Sequence, residues 1–358
     1  MAYGAIDLHK KESQVRIVMD HGEVVDRRIA TTRDRFTALF WGRPRMRLVL
    51  EAATEREWVA PHLEALGHDV IVADPNFAPM YGHRSRRIKT DRRDVAAVAE
   101  ACQRGCSRAV HRRSATQRTV QIQLNVRREL TASRTRAIAI VRAVIRGAGV
   151  RVRSGSTGTF LARVAALDLP PGIVETLSPL RTMITVLTEA LAQADERFAT
   201  IAAANPDVAR LMTVPAIGPI TATAYVAALD DAARFERAGQ VASYLGLVPA
   251  EYSSGEQQRR GQVLRSAHPH VQSLLVQAAW RLSRSKDART AGLRAWADGI
   301  ARRRGRKIAM VALARRLARM LFAMWRDGVV YDGARIRSTS GHVARSSAEP
   351  AMTVAVNR

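Results

Sequence analysis

The order of elements implied by the first 110 residues constrains the fold more than any other feature of this chain. Three β-rich runs come in succession, Tyr3 to Leu8, Gln14 to Met19 and Val24 to Ala30, with Asp20-His21-Gly22 as the first hairpin turn. The pattern then alternates: a helix from Thr32 to Phe40, a strand from Met46 to Glu51, a helix from Glu55 to Leu66, a strand from Asp69 to Ala73 and a helix from Thr90 to Gln103. A meander followed by strand–helix–strand crossovers predicts a mixed α/β sheet covered by helices. A doubly wound nucleotide-binding sheet is the competing topology, and it requires a glycine-rich turn after its first strand. Asp7-Leu8-His9-Lys10-Lys11-Glu12 contains no glycine.

Such a sheet order fits an RNase H-like domain, and four carboxylates fall where that fold sets metal ligands. Asp7 ends the apolar run Ala5-Ile6, Glu51 follows Leu48-Val49-Leu50, and Asp91 and Asp94 lie three apart, on one face of a predicted helix. Carboxylates at the ends of buried strands are costly unless a cation holds them. Two Mg²⁺ ions, with Mn²⁺ as a substitute, would be shared by four acids at a spacing of roughly 3.5 to 4 Å. Read singly, each acid has an ordinary explanation: Asp7 caps a turn, Glu51 neighbours a helix start, and Asp91 and Asp94 pair with arginines. Arg84, Arg86, Arg87, Lys89, Arg92 and Arg93 crowd beside the last two acids, where cations suit a phosphodiester lying over metal.

Charge supports a polyanionic partner. Lys and Arg number 57 against 32 Asp and Glu, a net charge of +25, and Arg dominates. Such a surface steers phosphates and releases counterions, although a GC-rich coding sequence also raises Arg content. Cys102 and Cys106, without a His or Cys cluster nearby, read as small core residues of a reducing compartment. With no signal-like start and no apolar run of membrane length, the expected location is the cytoplasm, with no membrane partner and nucleoid association when bound to DNA.

Four blocks are expected: 1–112 as the nuclease-like domain, 113–200 as a helical coiled-coil hairpin, 205–332 as a mainly α domain, and 333–358 as a disordered tail rich in Ser, Arg and Gly. Ser114 to Arg146, free of Pro and Gly, reads as one long helix bearing Arg127, Arg128, Arg134, Arg136, Arg142 and Arg146. A second starts after Pro170-Pro171, with Val174, Leu177, Leu180, Ile184, Leu187 and Leu191 as its apolar seam. Ser154-Gly155-Ser156-Thr157-Gly158 reads as a hinge between them. The hairpin serves dimerisation, grips nucleic acid through Arg127 and Arg128, or is simply a solvated rod. The third block opens on Val214-Pro215-Ala216-Ile217-Gly218-Pro219, the pattern of a helix-hairpin-helix, in which Gly218 permits the tight turn and offers backbone N–H groups to phosphate. Farther on, Ser253-Ser254-Gly255 precedes Arg259, Arg260 and Gly261; a serine there is an exposed nucleophile for phosphorus or an ordinary loop residue.

Several of these motifs together resemble a known family. Ala5-Ile6-Asp7, Val49-Leu50-Glu51-Ala52-Ala53-Thr54 and Lys89-Thr90-Asp91-Arg92-Arg93-Asp94-Val95-Ala96 look like the DEDD motif of the IS one-ten family of insertion-sequence transposases, relatives of the Piv invertases. Pro215-Ala216-Ile217-Gly218, Phe235, Gly246-Leu247-Val248-Pro249, Tyr252-Ser253-Ser254-Gly255, Gly305-Arg306-Lys307 and Gly328-Val329-Val330-Tyr331-Asp332 follow in the family's order. The resemblance implies that Asp7, Glu51, Asp91 and Asp94 bind Mg²⁺ in a RuvC-like domain. It implies that Ser254, with Ser253 as second choice, is the nucleophile forming a phosphoserine link to DNA. It further implies a donor junction and a target DNA as substrates, a structured guide RNA encoded by the element, and assembly as a homodimer or homotetramer.

The segment Arg265-Ser266-Ala267-His268-Pro269-His270-Val271 departs from the family, which usually shows a basic residue and a Gly followed by an Arg near a helix start; His268 and His270 would stand in for the phosphate contacts missing there rather than form a metal pair, which would need further protein ligands. Two other readings remain: an RNase H-like nuclease using metal-activated water without a serine, and a non-catalytic nucleic-acid-binding protein.

Overall fold

The computed structural model describes residues 1–51, 53–74, 77, 91–251, 260–263 and 268–334. Its compact units are Met1–Arg113 and a second from Ser114 onward.

The first unit is built on a five-stranded sheet of order β3-β2-β1-β4-β5, formed by β1 (Tyr3–Leu8), β2 (Glu12–Val18), β3 (Val24–Ala30), β4 (Arg47–Glu51) and β5 (Asp69–Ala73). β2 runs antiparallel to both β1 and β3, whereas β4 is parallel to β1 and to β5. β2 begins two residues before the expected strand, because pairing with β1 runs from Leu8↔Ser13 to Tyr3↔Val18. Met19 instead donates from its amide to Glu23 O in the turn, at 2.8 Å, and Gly22 supplies the positive φ of 90° that closes it.

Helices cover the two faces of the sheet, and strand parity decides which residues each face receives. On one face Ile6, Leu8, Leu48, Leu50 and Val72 pack with Phe36 and Phe40 of α1 (Arg33–Phe40) and Val59 and Leu63 of α2 (Arg56–Ala65). Burying each of these large side chains stabilises the unit by roughly 1.5 to 3 kcal/mol. Strand spacing is close here: a Cβ on Gly4 would lie 2.8 Å from Arg16 O. On the opposite face Ala5, Val49 and Ala73 pack against Val95, Val98, Ala101 and Cys102 of α3 (Asp91–Gln103). Burial pushes the Cys102 thiol up to about 11, so it stays protonated as a core residue, while Cys106 lies half-buried past the helix end.

In the second unit, α4 (Ala115–Gly147) and α6 (Pro171–Ala204) run antiparallel: Val120 and Leu124 share one core with Phe198 and Ala202, and Val141 and Ile145 share another with Leu177. Leu177, Ile184, Leu191 and Phe198, seven residues apart, are buried; Val174 is 39% exposed and Leu187 half-buried, so the apolar seam is narrower than its spacing suggested. The expected hinge at Ser154–Gly158 is a held turn. Arg163 donates to Ser156 O at 2.5 Å and to Arg153 O, and α5 (Phe160–Ala165) buries Phe160 and Val164 between the long helices.

The remaining elements are α7 (Pro206–Leu211), α8 (Pro219–Leu229), α9 (Ala238–Tyr244), β6 (Pro249–Glu251), β7 (Arg260–Val263), α10 (Pro269–Ser283), α11 (Ala291–Arg304) and α12 (Arg306–Arg326). α8 is central: all residues from Thr221 to Leu229 are buried, and Tyr225 donates its hydroxyl to Ala318 O of α12 at 2.6 Å. The block expected to be helical therefore also contains an antiparallel pair, with Pro249↔Val263 and Glu251↔Arg260 as partners and a register shift between them. Nothing in three- and four-residue strands marks them locally, since they are defined by each other. Of the expected tail, 333–358, all but Gly333 and Ala334 lies outside the described residues.

Candidate active site and nucleic-acid interface

Parity and register bring the strand-borne acids together. Asp7 shares its face of β1 with Tyr3 and Ala5, and Glu51 shares its face of β4 with Val49; both faces are the one that α3 covers. β1 and β4 pair in parallel up to Ile6↔Leu50, so the next residues on the two strands are Asp7 and Glu51, side by side at the carboxyl ends. Asp94 is in the first turn of α3, 7% exposed, on the helix that packs over β1 and β4. The backbone of Asp91 opens the same helix, one turn earlier; its side chain and that of Arg92 lie outside the described residues.

His9 also belongs to this corner, although the carboxylate pattern alone does not point to it. Its Nε2 stands 3.3 Å from Asp7 Oδ2, and the Asp7 side chain is only 13% exposed. The signal that finds it is strand parity: two residues after Asp7, a side chain at the strand end returns to the same face.

The donor chemistry of Asp7, Glu51 and Asp94 is oxygen only, the kind that hard divalent cations take. Among the described residues no group of three or more His, Cys, Asp or Glu side chains is gathered closely enough to hold a metal ion. Asp7 and Glu51 share a face and an end of the sheet and Asp94 stands on the helix over that face, with the fourth carboxylate outside what is described.

The basic residues divide. Arg84, Arg86, Arg87, Lys89 and Arg259 lie outside the described residues, as do the side chain of Arg260 and the whole of Ser253, Ser254 and Gly255. Arg93 is exposed on α3. On α4, Arg127 pairs with Asp195 of α6 and Arg128 lies 3.3 Å from Glu129. Both face His270 at the start of α10 across a cleft of about 370 Å³. Burial, then Arg128 and Arg127, hold the His270 imidazole below its ordinary pKa. His268 is buried, its ring 4.5 Å from that of Tyr244, so it packs the interior rather than meeting phosphate.

Gly218 corrects the expected turn. Its φ of −100° and ψ of 179° are extended backbone at the start of α8, while the left-handed residue is Ala216, at φ 74°. A Cβ on Gly218 would meet nothing within 4 Å. The tight turn is made by an alanine, and the glycine leaves open space before a helix start.

A DEDD transposase family model matches residues 5–149, and a model described as transposase, IS116/IS110/IS902 family, matches residues 208–293. A probable family 20 transposase of Pseudomonas aeruginosa is 32% identical over 89% of this chain and 95% of its own length. The transposase for insertion sequence element IS1111A of Coxiella burnetii is 30% identical over 66% of each chain. The transposase for element IS1328 of Yersinia enterocolitica is 25% identical over 91% of this chain and 97% of its own. The chain belongs to the IS110/IS116/IS902 family of transposases, enzymes that cleave and rejoin DNA. Its DEDD domain carries with it dependence on a divalent metal. No helix among the described residues is long and apolar enough to cross a membrane.

Proposed function

We propose that the chain is the transposase of an insertion sequence whose first unit is an RNase H-like, RuvC-like domain holding divalent metal through Asp7, Glu51, Asp91 and Asp94. The observation that carries this reading is the parallel register of β1 and β4, which sets Asp7 and Glu51 side by side beneath the helix bearing Asp94. Mg²⁺ bound there, as one ion or two, supplies Lewis-acid stabilisation to the charge that develops on a phosphodiester under attack. The chain's own groups do the rest. The acids are acceptors that orient by the rigidity of two adjacent strand ends, and Asp94 is held by burial on α3. Exposed Arg93 offers donors to the phosphate backbone.

The second half of the reaction is assigned to Ser254, on the strength of the family resemblance in Tyr252-Ser253-Ser254-Gly255. Its hydroxyl gives up a proton as Oγ attacks phosphorus; the bond to the leaving 3′ oxygen breaks, and that oxygen takes a proton as phosphoserine forms. Attack by the 3′ hydroxyl of another strand reverses the step and restores the serine. The same resemblance supports a structured guide RNA encoded by the element, a donor junction and target as DNA partners, and assembly of homodimers or homotetramers.

The test is strand cleavage of a donor-junction DNA in Mg²⁺ by Asp7→Asn and Glu51→Gln, each checked for an unchanged melting temperature. Loss of cleavage by roughly a hundredfold, or about 3 kcal/mol of barrier, is expected. Wild-type rates in both variants overturn the assignment.

A further inference from the structure

The strongest concentration of uncompensated charge among the described residues lies away from the carboxylates, at the junction of α11 and α12. Between Arg302 and Arg326 the chain carries nine Arg or Lys and no Asp or Glu. Arg302, Arg303 and Arg304 close α11, Gly305 turns the chain at φ 84°, and Arg306 and Lys307 open α12; all five cations are exposed. At the end of α11 the three arginines complement the helix dipole. At the start of α12 the two cations oppose it, and the first turn has no acid and no side-chain cap. A helix start with its N–H groups uncapped and two positive charges added is unfavourable on its own, and a polyanion relieves it.

A second observation shows that one of these cations, Arg306, is held in place beside a further one, Arg284. α10 packs on α12, and Trp280 of α10 has the Arg284 guanidinium 5.6 Å and the Arg306 guanidinium 5.5 Å from its ring centroid. Cation–π interaction with a common ring fixes two guanidinium groups from different helices near each other. Arg315 and Arg319 continue the charge along the exposed side of α12. The nearest acid along α11 is Asp298, four residues before Arg302.

We infer that the α11–α12 junction, with Trp280 as the anchor of Arg284 and Arg306, is a binding face for the phosphate backbone of duplex DNA, read by charge and not by base sequence. This rests on the transposase reading only for the identity of the polyanion. It assigns a nucleic-acid interaction to a segment lying beyond the matched region that ends at residue 293.

The experiment uses the full chain and a 30-base-pair duplex of arbitrary sequence, titrated over a range of salt concentrations in EDTA, so that the carboxylate site takes no part. Removing one cation that neutralises a phosphate lowers the steepness, the absolute slope of log K against log salt, by about 0.9. The triple change Arg302→Gln, Arg304→Gln, Lys307→Gln is expected to lower it by about 2 to 3, with an unchanged melting temperature. Trp280→Leu, which frees the two guanidinium groups, is expected to weaken binding several-fold with all charges retained. An equal charge change elsewhere, Arg27→Gln, Arg35→Gln and Arg45→Gln, is expected to lower the slope by less than 1. An unchanged slope in the α11–α12 triple, or an equal loss in the control triple, overturns the assignment whatever the acids do in cleavage. Loss of binding to an RNA hairpin with duplex DNA binding intact overturns the choice of DNA.

Discussion

Asp230 accepts two hydrogen bonds from Ser114, a residue 116 positions earlier: the Ser114 hydroxyl donates to Oδ1 at 2.7 Å and its amide to Oδ2 at 2.9 Å. The pair ties the start of α4 to the end of α8. Ser114 also caps α4 by accepting from the Gln117 amide at 3.3 Å. Asp230 itself is strained, at φ 67° and ψ −51°, with the Asp231 amide bonded to Leu229 O across it at 2.8 Å in a γ-turn. Asp230→Ala keeps the strain and loses both bonds, and is expected to cost about 2 kcal/mol. Asp230→Gly loses the bonds but relieves the strain, so it should cost less than the alanine variant. Urea unfolding followed by circular dichroism ranks the two; alanine equal to or more stable than glycine would show that the turn stores no strain.

Ala216 and Gly218 make an opposed pair of expectations. Ala216→Gly removes a left-handed alanine and is expected to stabilise the second unit by about 0.5 to 1 kcal/mol. Gly218→Ala meets open space and extended backbone, so its melting temperature should stay within about two degrees of the wild type. If the helix start at Gly218 approaches phosphate, the same variant weakens DNA binding without unfolding. A large loss of stability in Gly218→Ala would restore the glycine to the tight turn.

What the sequence made legible follows from periodicity. The first-unit strands and helices lie within two residues of their expected bounds, because each apolar run alternates with period two or repeats at three and four. The same alternation sets Asp7 and Glu51 on the α3 face beside Ala5 and Val49. Legibility fails where a property belongs to a pairing. β6 and β7 define each other, and the Ser154–Gly158 loop looks flexible until Arg163 returns to it from α5. The left-handed conformation at Ala216 is masked by a nearby glycine, which composition favours for such a role. Ser114 and Asp230 carry no mutual signal across 116 residues.

The alkaline limit of stability is expected to involve Tyr225. Burial raises its phenol well above the ordinary value near 10, and its hydroxyl donates to Ala318 O. The folded state therefore holds the proton where the unfolded chain releases it. The contribution is fully present below pH 10 and falls as pH rises above it. Tyr225→Phe loses one buried hydrogen bond, about 1 kcal/mol at pH 7. Its denaturation midpoint should fall less steeply between pH 9.5 and 11 than that of the wild type. Parallel curves for the two proteins would remove Tyr225 from the alkaline transition.

Ser254 separates cleavage and rejoining through a covalent link from hydrolysis by metal-activated water. If its Oγ forms the bond to phosphorus, Ser254→Ala abolishes any protein–DNA adduct that survives denaturing gel electrophoresis, and strand joining falls by at least a thousandfold. Ser253→Ala retains the adduct. If Asp7 helps to hold the metal that would activate the phosphate, Asp7→Asn abolishes the adduct too, yet its duplex binding in EDTA stays near the wild-type value. A Ser254→Ala protein that still cleaves at the wild-type rate in Mg²⁺ would place the chemistry with water at the four acids. Adduct lost in Ser253→Ala but kept in Ser254→Ala would move the nucleophile by one residue and leave the two-part site intact.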